Sequence, residues 1–148
     1  MNNLITIGLP SKGRLKEKSL SFFSDSGFKI IQSEKERNYF GTIENNPNIK
    51  IIFLHAKEII QRLGDGTLDI GVSGLDLLKE SDKNLQGKIN IQKKLDYGNA
   101  NLVIAVPDDW IDVQTIADLE EISFDIRFKR NTRLRVATKY PNLTNDFL

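Results

Sequence analysis

The chain has 148 residues, with 21 basic and 20 acidic side chains, one histidine and no cysteine. That length buries the core of one ordinary domain or two small lobes, and a near-neutral charge without a long single-sign run gives no reason to expect nucleic acid or a membrane surface as partner. The missing thiols exclude disulfides, thiolate metal sites and cysteine nucleophiles, and a single histidine leaves little for a histidine metal cluster or a Ser-His-Asp triad.

The first expected element is a strand over residues 4–9, apolar nearly throughout as in a strand covered on both faces of a parallel sheet, ending at Pro10. The loop that follows would open at the carboxyl edge of the sheet, where α/β folds bind ligands. Ser11 is a candidate helix cap and Gly13 permits close backbone approach, while Lys12 and Arg14 set two positive charges beside a helix N-terminus that favours anions. Phosphate or carboxylate is the expected guest. The spacing is neither GxxxxGK[ST] nor GxGxxG, and a polar strand-to-helix loop of this kind also occurs in α/β domains that bind nothing there.

Leu15, Leu20, Phe22 and Phe23 place a helix over residues 14–26, with Gly27 as its terminal cap. Short strands are expected at 28–31 and 39–43, with polar residues 32–38 between them. A turn at 45–48 then leads into a strand at 49–54, a hairpin signal. Residues 57–63 read as a helix stopped by Gly64, residues 69–73 as a short buried strand, and the leucines at 75, 77 and 78 as a second short helix. Strands alternating with helices predict an α/β lobe with a mixed sheet. Residues 81–88 read as a loop, 89–95 and 102–106 as strands, and the break at 96–99 as a crossover between a first lobe, 1–97, and a second, 98–148. A loop at Pro107 and Trp110, a short helix at 115–119 capped by Thr115, a solvated loop at 124–133, a strand at 134–138 and a helix starting at Pro141 complete the reading. The first residues lack the charged and long apolar regions of a signal peptide, and no apolar run approaches the ~18 residues of a membrane span, so the expectation is a cytoplasmic protein with no membrane partner.

Four stretches carry a resemblance: Leu9-Pro-Ser-Lys-Gly-Arg-Leu15, Asp65-Gly-Thr-Leu-Asp-Ile-Gly-Val-Ser-Gly74, Leu95-Asp-Tyr-Gly98 and Leu134-Arg-Val-Ala-Thr-Lys-Tyr-Pro141. In this order and spacing they resemble the N-terminal part of ATP phosphoribosyltransferase, the family that opens histidine biosynthesis. The segment from Pro107 to Val113 is similar to the short form, which works with a histidyl-tRNA-synthetase-like regulatory subunit. The resemblance implies a two-lobed α/β fold of the type II periplasmic-binding-protein kind. It also implies magnesium carried on the substrates, and ATP and phosphoribosyl pyrophosphate meeting in the cleft. There adenine N1 attacks the anomeric carbon and pyrophosphate leaves. Such a reaction draws on alignment and on neutralising the leaving group, without a protein nucleophile, and no catalytic residue is assigned. Lys12 and Arg14 are expected at substrate anions. Gly71, Ser73 and Gly74 are expected in a strand-to-helix turn facing the cleft, with N–H groups that bind oxygen.

The family's glycine- and threonine-rich phosphoribosyl pyrophosphate loop is expected beyond Leu148, which reads as a second lobe cut short and a fragment inactive by itself. Asp65-Gly66-Thr67 imitates that loop but follows a helix signal, so a helix-to-strand turn is expected. His55 is read as a strand-end residue before a general base, Asp69 and Asp76 as cap or surface charges before magnesium ligands, and Trp110 as a packing or subunit-contact residue. Tyr97 suits adenine stacking and hinge packing equally, and Lys139, just after an expected strand, is a cleft candidate. The alternative function is a cytoplasmic small-ligand binding module of the type II kind without catalysis.

Overall fold

The structure, a computed structural model, describes residues 4–32 and 39–148 and divides into two compact units, Met1–Asn99 and Ala100–Leu148. The first unit is built on strands β1 (Ile5–Pro10), β2 (Ile30–Gln32), β3 (Phe40–Ile43), β4 (Asn46–Leu54) and β5 (Ile70–Gly71), and on helices α1 (Gly13–Asp25), α2 (Ala56–Gly64), α3 (Leu75–Glu80) and α4 (Lys83–Lys88). Among the described residues its strands form one sheet in the order β2-β3-β4-β1-β5. The chain is thus α/β with a mixed sheet: β1 runs parallel to β4 and β5, and β2, β3 and β4 are antiparallel neighbours.

Alternation along the central strands sorts the two faces. Ile7 and Leu9 of β1, with Ile51 and Phe53 of β4 and Ile43 of β3, turn to one side and are buried under Leu20 and Phe23 of α1. Leu9, Ile51 and Phe53 are almost wholly excluded from solvent, worth about 1.5–3 kcal/mol each in transfer free energy. On the other side Gly8 and Gly71, paired across β1 and β5, let α2 lie directly on the sheet. A Cβ at Gly8 would stand 2.6 Å from Leu68 Cδ1, and one at Gly71 would stand 2.5 Å from Ile59 Cγ2. α1 and α2 therefore cover opposite faces.

Several expectations are corrected here. Helix α2 does not stop because of Gly64, which is its last residue and makes room for Leu85 of α4; the chain turns at Asp65 and Gly66, where φ is 78°. The supposed loop at 81–88 contains α4, because Asp82 caps it by accepting from Leu85 N–H at 2.9 Å. The turn expected at 45–48 is made at Glu44 and Asn45, with Asn45 at φ 63°, so β4 starts at Asn46. The strand expected over 69–73 has only two residues in the ladder, Ile70–Gly71. Ser11 does not cap α1: Lys12 holds that position, and Ser11 N–H donates to Leu54 O at 2.8 Å. Residues 33–38, in the expected polar connection, lie outside the described residues.

The second unit contains α5 (Ile116–Arg130) and α6 (Pro141–Phe147). The strands expected at 102–106 and 134–138 are not formed, nor is the one at 89–95, because among the described residues none of the three runs is hydrogen-bonded to a neighbouring strand. An apolar run becomes a strand only with a ladder partner. The loop expected at 124–133 is also overturned. Helix α5 continues to Arg130, with Arg127, Lys129 and Arg130 in its last turn, where cations suit the helix dipole, and ends at Asn131 in the left-handed region. Pro141 is the first residue of α6.

Candidate functional site

The carboxyl ends of β1, β4 and β5 lead into α1, α2 and α3 along one edge of the sheet. Two of these strands are neighbours whose connections diverge. β1 feeds α1 on the face of Ile7 and Leu9, while β5 feeds α3, which packs beside α2 on the face of Gly8. Adjacent parallel strands with connections to opposite faces leave a crevice between their loops, the place where open α/β sheets take ligands.

One wall of the crevice is the amino end of α1. Lys12 is extended (φ −141°, ψ 156°), and Gly13 at φ +65° makes the turn into the helix with open space where a Cβ would stand, so its glycine serves backbone conformation. Among the described residues no side chain caps this end and no acidic residue lies in its first turn, while Lys12 and Arg14 are both exposed there. The leading N–H groups of a helix have no partner inside it and carry partial positive charge. Lys12 and Arg14 add two full charges. By contrast, α2 begins with His55, whose Nδ1 accepts from Lys57 N–H at 3.4 Å, and α5 begins with Thr115, whose hydroxyl accepts from Asp118 N–H. His55 is therefore a helix cap after β4, in keeping with a strand-end position.

The other wall is the turn Val72–Ser73–Gly74. Val72 N–H donates to Gly8 O at 2.9 Å, extending the β1–β5 pairing, and Ser73 Oγ donates to Ala56 O at 2.8 Å, tying the turn to the first residue of α2. Gly74 occupies the cap position of α3, and a Cβ there would meet the Asp76 carboxylate at 2.2 Å. The sheet thus brings Lys12, Arg14, Ser73 and Gly74 to one edge. Gly71 lies just inside the edge, in β5, where Ile59 and Leu63 explain its glycine by packing.

The remaining candidates fall elsewhere. Tyr97 lies against α1, with its hydroxyl 3.2 Å from Ser19 Oγ. Lys139 is exposed in the second unit, ahead of α6, and follows no strand, so the sheet-edge placement expected for it does not exist. Asp65-Gly66-Thr67 is the helix-to-strand turn expected of it. Asp65 Oδ1 accepts from Thr67 Oγ1 at 2.7 Å and from Thr67 N–H at 2.9 Å, bonds that hold its carboxyl below the ordinary 3.8. Asp69 accepts from Thr6 N–H at 2.7 Å at the amino end of the sheet, opposite the crevice. Among the described residues no group of three or more His, Asp or Glu side chains could hold a metal ion. No helix of the described residues is long and apolar enough to cross a membrane. The serine at 19 escaped the sequence reading, since nothing local marks a helical serine as buried.

Residues 55–148 match the family described as HisG: ATP phosphoribosyltransferase. The chain is 43% identical over 143 residues to an ATP phosphoribosyltransferase of Brucella melitensis biotype 2, and equally to one of Brucella ovis, covering 97% of this chain and 62% of each relative. A third, from Brucella anthropi, is 42% identical over the same share. The chain spans about three fifths of the length of these curated relatives. It belongs to the ATP phosphoribosyltransferase family.

Proposed function

We propose that this member of the ATP phosphoribosyltransferase family is part of the catalytic subunit that joins ATP to phosphoribosyl pyrophosphate in the first step of histidine biosynthesis. In that reaction adenine N1 forms a bond to the ribose anomeric carbon as the carbon–oxygen bond to pyrophosphate breaks. The products are phosphoribosyl-ATP and pyrophosphate. The observation that carries the reading beyond family membership is the uncapped amino end of α1, with Lys12 and Arg14 exposed and no acid in the first turn, beside the Ser73–Gly74 turn.

That end offers N–H groups and two cations to a polyphosphate. Charge-assisted hydrogen bonds of this kind fix orientation as well as affinity, and alignment is what a displacement without a protein nucleophile requires. Magnesium enters as an ion carried on substrate phosphates, and no step is assigned to it. A cytoplasmic location, a two-lobed organisation of the type II periplasmic-binding-protein kind with a first lobe at 1–97 and a second from 98, and a histidyl-tRNA-synthetase-like regulatory partner belong to the same proposal.

Calorimetric titration of the chain with ATP and with inorganic pyrophosphate tests it. Binding that Lys12→Ala and Arg14→Ala each weaken supports the assignment. A chain that binds neither ligand, or binds both without regard to these residues, overturns it. A non-catalytic binding module would instead take a small ligand whose affinity is indifferent to both cations.

A further inference from the structure

The last residues of the first unit lie along α1. Lys93 Nζ stands 5.5 Å from the centre of the Phe22 ring, the Tyr97 hydroxyl is 3.2 Å from Ser19 Oγ, and a Cβ at Gly98 would come within 2.9 Å of Leu15 Cδ2. As the chain advances from 93 to 98, its contacts step back along the helix from 22 to 19 to 15. The segment therefore runs antiparallel to α1, towards the end that carries Lys12 and Arg14.

The central contact has a fixed direction. Ser19 is fully buried, and its one hydroxyl proton goes to Leu15 O at 2.6 Å. Its oxygen is then left to accept, so Tyr97 is the donor of the pair. A serine that bonds back to the carbonyl four residues earlier slightly weakens its helix, so the arrangement is not explained by helix stability alone. What it provides is an acceptor in a defined place on α1, one turn beyond Leu15.

We propose that residues 93–98 form a strap on α1 and that Tyr97 is a positioning residue for the anion-binding end of that helix. The inference rests on the reading of Lys12 and Arg14 as polyphosphate contacts. Gly13 has a positive φ, and among the described residues nothing packs around its Cβ position. The strap grips the helix at Leu15, within its first turn, and at Ser19, one turn further on. A helix end held in place before the ligand arrives has less ordering cost to meet on binding.

The test uses the 148-residue chain with Tyr97→Phe, which keeps the ring and removes the hydroxyl, Ser19→Ala, which removes the acceptor, and the double variant. Calorimetry with ATP reads affinity, and amide hydrogen exchange over residues 13–19 reads the strap directly. Each single variant should bind ATP about two- to tenfold more weakly, and the double variant no more weakly than Ser19→Ala, in which the Tyr97–Ser19 bond is already lost. Exchange at 15–19 should quicken in all three. Wild-type affinity in Tyr97→Phe, or losses that simply add, would overturn the positioning role. If the unaltered chain binds no ATP, the polyphosphate reading fails and takes the positioning role with it. Exchange then judges the strap alone, which stands if Tyr97→Phe accelerates exchange at 15–19 and falls if it does not.

Discussion

Asp69 and Thr6 hold each other in both directions: Thr6 N–H donates to Asp69 Oδ2 at 2.7 Å, and Asp69 N–H donates to Thr6 O at 3.0 Å. Because β5 contributes only two residues to its ladder with β1, this side-chain bond supplies pairing that a longer strand would draw from its backbone. Asp69→Ala should lower stability by about 0.5–1.5 kcal/mol, whereas Asp69→Asn keeps an acceptor and should lose less, since the group is exposed and its charge is screened. Urea midpoints compare the three. A midpoint for Asp69→Ala equal to that of the unaltered chain would show that the bond contributes nothing.

Lys12→Ala and Arg14→Ala should separate binding from folding. Both side chains are exposed at the start of α1, so urea midpoints should stay within about 0.5 kcal/mol of the unaltered chain. Loss of a charge-assisted hydrogen bond to a phosphate is worth about 1.5–3 kcal/mol, so ATP should bind on the order of ten- to a hundredfold more weakly. Arg14→Lys is informative beside them, because it keeps the charge and loses the planar fork. Calorimetry should place it between Arg14→Ala and the unaltered chain, and parity with either would identify which property matters.

Close approach of α2 to the sheet predicts a different outcome at the paired glycines. Gly71→Ala would press a methyl against Ile59 Cγ2 and Leu63 Cδ1, and Gly8→Ala would press one against Leu68 Cδ1 and Ile59. Overpacking of this kind costs typically about 1–3 kcal/mol. Since β1 and β5 border the crevice, both variants should also disturb ligand affinity, though only in proportion to lost stability. Thermal melts and titrations on the same samples check the proportion. A stable Gly71→Ala chain with abolished binding would point to a ligand contact at Gly71 beyond its packing.

How far the residues announced their structure differs from segment to segment. β1, the loop at Lys12 and α1 were readable because the signals are local: a nearly continuous apolar run, then glycine, then apolar residues at helical spacing. The runs at 102–106 and 134–138 carry the same strand-like composition as β1, yet strand formation depends on a partner that composition does not reveal. α4 was hidden by its polarity and by Gly87, and it forms because Asp82 caps it and Leu85 reaches Gly64 of α2. The extension of α5 was hidden because its apolar residues do not gather on one face, leaving Phe124 70% and Phe128 83% exposed. The placement of Lys12 and Arg14 at the start of α1 was legible, and the contact of Tyr97 with that helix was not. Tyr97 and Ser19 are 78 residues apart, and only the folded chain joins them.

The amino end of α5 should respond to acid. Asp118 Oδ2 accepts from Thr115 Oγ1 at 2.7 Å, from Thr115 N–H at 2.7 Å and from Gln114 N–H at 3.0 Å, and these bonds hold its carboxyl below the ordinary 3.8. The Thr115 hydroxyl in turn accepts from Asp118 N–H at 3.3 Å, completing a reciprocal cap. The sign follows from linkage. A carboxyl whose folded value is depressed binds fewer protons in the folded state, so its contribution is fully present above the unfolded value near 3.8 and is lost as the pH falls through the lower folded value. Helix content in the second unit should therefore hold between about pH 7 and 5 and fall below about pH 4, with Asp118→Asn showing a weaker fall from a lower start. Thr115→Ala should also lower helix stability, by about 0.5–2 kcal/mol at neutral pH, as expected for loss of a helix cap. Residue-resolved NMR of the amides from 114 to 119 follows the titration at its source, and a pH profile identical in Asp118→Asn and the unaltered chain would remove Asp118 as its origin.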